Sequence, residues 1–139
     1  MQKIIFIIIV AILFFACNNN SNLVEPIPSG SYSYMSYDTT GTAIVKGWLI
    51  INDIDSSNII GKWEFKSIGN ALDIGPQVGS GELIGGTLED GIWVELNPQF
   101  RDNNLQLIGI LGNNKFSGVW QWTSIVGITN HGTFEALKN

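Results

Sequence analysis

The chain has 139 residues, with 7 basic against 12 acidic side chains and a formal net charge of −5. That balance argues against nucleic acid as a partner, because such binding is dominated by basic contacts to phosphate, and against docking of the protein body on anionic lipid. A single cysteine excludes a disulfide within the chain, so stability has to come from packing.

Met1-Gln2-Lys3 supplies one positive charge, and Ile4 to Ala16 is unbroken apolar sequence. The run is shorter than the roughly 20 residues a helix needs to cross a bilayer. A short apolar run after a basic start, ended by a small residue, is the pattern of a secretory signal peptide. Cys17 follows directly. Phe14-Phe15-Ala16-Cys17 resembles the lipobox of bacterial lipoprotein precursors, with Phe14 where that family has Leu, Val or Ile. The resemblance implies that residues 1–16 are removed and that Cys17 carries a diacylglyceryl thioether and an acylated amino terminus. Two or three acyl chains anchor stably where one binds only marginally. It also implies a lipid-anchored place in the cell envelope. The outer membrane is preferred, since Asn18 is not the acidic residue that marks inner-membrane retention in some bacteria. The residues alone leave two other readings open: an uncleaved interfacial anchor, and a secreted protein with a free thiol.

Asn18 to Ser29 is polar, holds Pro26 and Pro28 and shows no periodicity. Residues 17–29 therefore read as a lipidated cysteine and flexible tether, and residues 30–139 as one domain. From Gly30 onward the apolar pattern has period two, the mark of half-buried strands. Strands are expected over Ser31 to Tyr37, Thr42 to Ile51, Ile59 to Lys66, Val78 to Leu88, Ile92 to Asn97, Asn104 to Leu111, Lys115 to Thr123 and Ile128 to Leu137. Asn52 to Asn58 reads as a polar loop, and Ser67 to Gln77 as a looser connection. Leu83-Ile84-Gly85 leads through a turn to Gly91-Ile92-Trp93, and Leu107-Ile108-Gly109 leads similarly to Gly118-Val119-Trp120. Two such hairpins favour an up-and-down meander. The expected fold is all-β: a single antiparallel up-and-down β-barrel of about eight strands, which leaves no exposed edge and can hold one small ligand in its mouth.

Gly61-Lys62-Trp63, Gly118-Val119-Trp120 and the closing Gly132-Thr133-Phe134-Glu135-Ala136 resemble small barrels of the calycin group, lipocalin-like or avidin-like. That resemblance covers residues 30–137. It implies a barrel and a small-ligand role, without any matching set of site residues.

Tyr32, Tyr34, Trp63, Phe65, Phe116, Trp120, Trp122 and Phe134 are expected to share the barrel interior. They form either a pocket for an apolar ligand or a filled aromatic core. Asp53, Asp55, Ser57 and Glu64 carry the oxygen spacing of a calcium loop, but Asn58 stands where glycine is needed and strands flank them. Asx and Ser turn capping is the competing reading. His131 is expected on the outward face of the last strand, with no second histidine or free cysteine to pair with it. Ser80 lacks a partner base, and Glu89 and Asp90 lie in a turn. No cofactor is expected. The chain reads as a non-catalytic module whose partners are the membrane through Cys17 and a small apolar ligand or an envelope protein; an enzyme with a carboxylate pair assembled from distant strands is the remaining alternative. Ile54, Phe100 and Val126 are candidate exposed contacts.

Overall fold

The computed structural model describes residues 28–55, 57–68 and 74–139. The expected signal segment, Cys17 and most of the tether lie outside them. Eight strands follow one another: β1 (Gly30–Tyr37), β2 (Ala43–Asp55), β3 (Asn58–Ser67), β4 (Gly79–Leu88), β5 (Gly91–Glu95), β6 (Asn104–Leu111), β7 (Lys115–Ser124) and β8 (Gly127–Lys138). A one-turn 3-10 helix, Gly75–Gln77, precedes β4. Each strand pairs antiparallel with the next, and β8 returns to β1 with Ala136 opposite Tyr34. The fold is therefore a closed up-and-down barrel, as the strand count and meander predict.

Alternation decides which side chains fill it. Tyr32, Tyr34 and Ser36 of β1 point inward, as do Ile59, Trp63 and Phe65 of β3 and Phe134 and Ala136 of β8. Large inward residues face glycines on neighbouring strands. Phe65 lies opposite Gly47 and Gly79, Trp63 opposite Gly81, Trp120 opposite Gly132 and Phe134 opposite Gly118. Small set against large is how a narrow barrel closes around bulky rings. Several of these glycines also sit where strands approach closely. A Cβ on Gly61 would run into the Ile50 carbonyl, and one on Gly132 into the Tyr37 carbonyl.

Three features go beyond the sequence-based expectation. First, β2 continues through residues 52–55 of the expected loop, with Asn52 opposite Ile60 and Asp53 opposite Ile59. The ladder runs on there because pairing satisfies backbone groups whatever the side chains do. Second, the two similar hairpins present opposite faces. Trp120 is buried opposite Leu107, whereas Trp93 stands opposite Gly86 on the side away from buried Ile92 and Val94. Third, the closed barrel is not closed along its whole height. The β4–β5 ladder covers only residues 84–88 against 91–95, so residues 79–83 pair with β3 alone. β5 stops at Glu95, three residues before Pro98, which has no N–H to resume a ladder. The Asn97 N–H donates instead to Asn104 Oδ1 at 3.0 Å.

Candidate functional site: a groove beside an incomplete wall

The aromatic interior is packed. Tyr34 stacks on Phe65 with ring centroids 3.9 Å apart, Trp63 lies 5.1 Å from Phe65, and Phe116 meets Phe134 edge-on at 4.7 Å. Seven of the eight aromatic residues singled out in the sequence belong to the buried core: Tyr32, Tyr34, Trp63, Phe65, Phe116, Trp120 and Phe134. Trp122 is half-buried at the barrel end. Its indole donates to Asn103 Oδ1, and Gly75 of the 3-10 turn rests on its ring. That turn carries Gln77 into the same end of the barrel, fully buried. The Ser36 hydroxyl donates to Gln77 Oε1 at 2.8 Å, and Gln77 Nε2 donates to the Ile74 carbonyl. Beneath them the Tyr34 hydroxyl is buried without a hydrogen-bond partner among the described residues. Burial pushes its pKa well above that of a free phenol, and the neighbouring Ser36 hydroxyl, which gives its proton to Gln77 and makes no hydrogen bond to Tyr34, opposes the shift only in part. Nothing in the sequence announced the plug beyond the Gly75-Pro76 pair.

Open space lies on the outside of the wall. A groove of about 830 Å³ runs over the outer faces of β2, β3 and β4 to the 96–100 segment. Ile50, Ile60 and Ile84 line its apolar floor, Lys62 and Glu82 stand in it as a directly opposed cross-strand pair, and Phe100 forms the far bank. Phe100 is 61% exposed and Ile84 41%. Where β4 lacks its partner, the inner side is sealed by Trp63. Its ring lies against Gly79 and Gly81, and its Nε1 donates to the Leu96 carbonyl at 2.8 Å. The groove is therefore a feature of the missing ladder, backed by an aromatic stop.

The other candidates are dispersed. Glu64 lies on the outer part of β3 in an ion pair with Lys66 at 3.0 Å. It is seven residues, or about 23 Å of strand, from Ser57 in the turn, so it cannot close a calcium loop there. The side chains of Asp53, Ile54 and Asp55 lie outside the described ones. Among the described residues no cluster of three or more His, Cys, Asp or Glu is formed. His131 is exposed on β8, Ser80 lines the groove, and Glu89 and Asp90 occupy the β4–β5 turn. Val126 is 89% exposed at the β7–β8 turn beside Ile125.

No protein-family model and no curated protein matches this chain. Among solved structures the chain is similar to a de novo designed fluorescence-activating β-barrel, at 9% identity and a TM-score of 0.47, over 79% of this chain and 92% of that one.

Proposed function

We propose that this protein is a non-catalytic binding module of the bacterial cell envelope, lipid-anchored through Cys17, that takes its partner on the barrel wall. The wall groove with its apolar floor carries this reading. A packed aromatic interior moves binding from inside the barrel, where the calycin-like resemblance would put a small ligand, to the outside. The anchor rests on the Phe14 to Cys17 junction alone.

Two measurements test the two halves. Cys17→Ala is expected to move the protein from the membrane fraction to the soluble fraction, and an unchanged distribution refutes the anchor. Anilinonaphthalene sulfonate is expected to bind the wall and to shift the resonances of Ile60, Ile84 and Phe100. Shifts confined to the interior aromatics would return the site to the barrel mouth. A second reading, a protein-contact lipoprotein with no ligand, is favoured by the bare aliphatic tip Ile125-Val126.

A further inference from the structure

We propose that residues 79–83 of β4 are a strand-docking edge, and that the natural occupant of the groove is an extended segment of a partner polypeptide carrying a basic residue. The inference rests on the wall-binding reading above and specifies its occupant.

Backbone accounting comes first. In a strand, alternate residues aim their N–H and C=O groups to opposite sides. On one side residues 79–83 meet β3, from Gly79 opposite Phe65 to Leu83 opposite Gly61. On the other side the ladder ends at Ile84, and no backbone bond joins 79–83 to 96–100 among the described residues. An added strand satisfies such a row directly, which is the physics of β-augmentation.

The edge is also unguarded. Natural edge strands are protected by lysine, proline, bulges or a covering loop. Here Gly79-Ser80-Gly81 presents almost no side chain, and residues 79–82 are all exposed. Gly81 belongs to the inward-facing register opposite buried Trp63, yet the open wall leaves it accessible. The groove beside the edge has room for a chain, and Ile84 and Phe100 offer apolar contacts to alternate side chains.

Charge selects the occupant. Glu82 is exposed on this edge with Lys62 directly across from it on β3 and no ion pair formed among the described residues, so its open flank can take a second base. A basic side chain on the incoming strand would neutralise it. A second copy of this chain is disfavoured, because pairing two such edges brings together two bodies that each carry a net charge of −5.

The test uses the full-length protein in detergent and a capped synthetic heptapeptide, Thr-Val-Thr-Lys-Thr-Val-Thr. Saturating peptide is expected to slow amide exchange at alternate residues of 79–83 about tenfold or more. Glu82→Lys is expected to weaken the peptide about tenfold and to favour the analogue with glutamate in place of lysine. The amide spectrum of the variant checks that it folds. Unprotected amides at 79–83, or equal peptide affinity in Glu82→Lys, overturn the proposal. If the peptide leaves these amides unprotected while anilinonaphthalene sulfonate still shifts Ile60, Ile84 and Phe100, strand docking fails and the wall-binding reading stands. If neither probe perturbs the groove, both fail.

Discussion

The indole N–H of Trp63 donates to the carbonyl oxygen of Leu96 across 2.8 Å, tying β3 to the residue at which the chain leaves the β5 ladder. A core aromatic thereby fixes the margin of the groove. Trp63→Phe removes that donor and part of the ring volume. The expected loss is about 2–4 kcal/mol, from a buried carbonyl left unpaired and a cavity left unfilled. Urea unfolding measures it, and exchange of the Asn97 amide should quicken. A variant as stable as the parent would mean that the bond holds nothing.

Tyr34 buries a hydroxyl with no partner among the described residues. Tyr34→Phe should therefore be neutral or stabilising, by up to about 1 kcal/mol, because it removes an unsatisfied polar group without changing the stacking ring. The pH dependence has a definite sign. The folded-state pKa is raised by burial, so the unfolded chain loses this proton first. The stability contribution is complete below the ordinary tyrosine pKa of about 10 and declines as the pH climbs past it. Alkaline unfolding of Tyr34→Phe, followed by near-ultraviolet circular dichroism, should begin at higher pH.

Gln77 and Ser36 are buried polar groups that satisfy each other. Removing either alone should cost about 1–3 kcal/mol, since its partner stays buried without a bond. The double variant Ser36→Ala/Gln77→Ala should cost clearly less than the sum. A coupling of about 1 kcal/mol in the double-mutant cycle is expected, and strict additivity would show that the two side chains do not recognise each other.

Gly132 and Gly112 differ in what surrounds them. A Cβ on Gly132 would strike the Tyr37 carbonyl and approach the Trp120 indole at 2.6 Å, whereas one on Gly112 has only the Lys115 carbonyl at 3.7 Å. Gly132→Ala is expected to cost about 1–3 kcal/mol as an overpacking change. Gly112→Ala should stay within about 0.5 kcal/mol. Thermal melts of the pair separate steric closure from a general intolerance of change.

Two carboxylates shape the acid limb. Glu135 is held below its ordinary pKa by its bond to Lys115 and then by Tyr37, and Asp38 by the Thr40 hydroxyl and then the Thr42 amide. Both are depressed in the folded state. Their contribution is complete above the ordinary carboxylate range near pH 4 and is lost as pH falls through the folded values. Stability measured by urea midpoint should be level near neutrality and drop below about pH 4. Glu135→Gln should make that drop shallower.

The strands, their inward faces and the barrel itself were legible because facing is a local property. Ile59, Gly61, Trp63 and Phe65 alternate along seven residues and need no partner to declare themselves. Pairing length is not local. Nothing in Asn52 to Asp55 says that a ladder continues there, since polarity reports only solvent. The groove depends on how far β4 outruns β5. Pro98 hints at the end of β5, but the bond from Trp63 to Leu96 joins residues 33 positions apart. The plug hid for the same reason. Gln77 looks like a loop residue until Ser36 is found waiting for it.

Ser31 and Asn139 meet at the seam that joins the first strand to the last, 108 positions apart in the chain. Until β8 docks, the first strand is without its closing partner, however early it pairs with β2. During that interval β1 can pair with β2 on one side only, and its other side is a bare row of backbone donors and acceptors. Closing such a long loop is also the slowest kind of contact to form. The unclosed barrel is thus at its most adhesive before β8 docks. A factor that shields the first strand has to release it when β8 arrives.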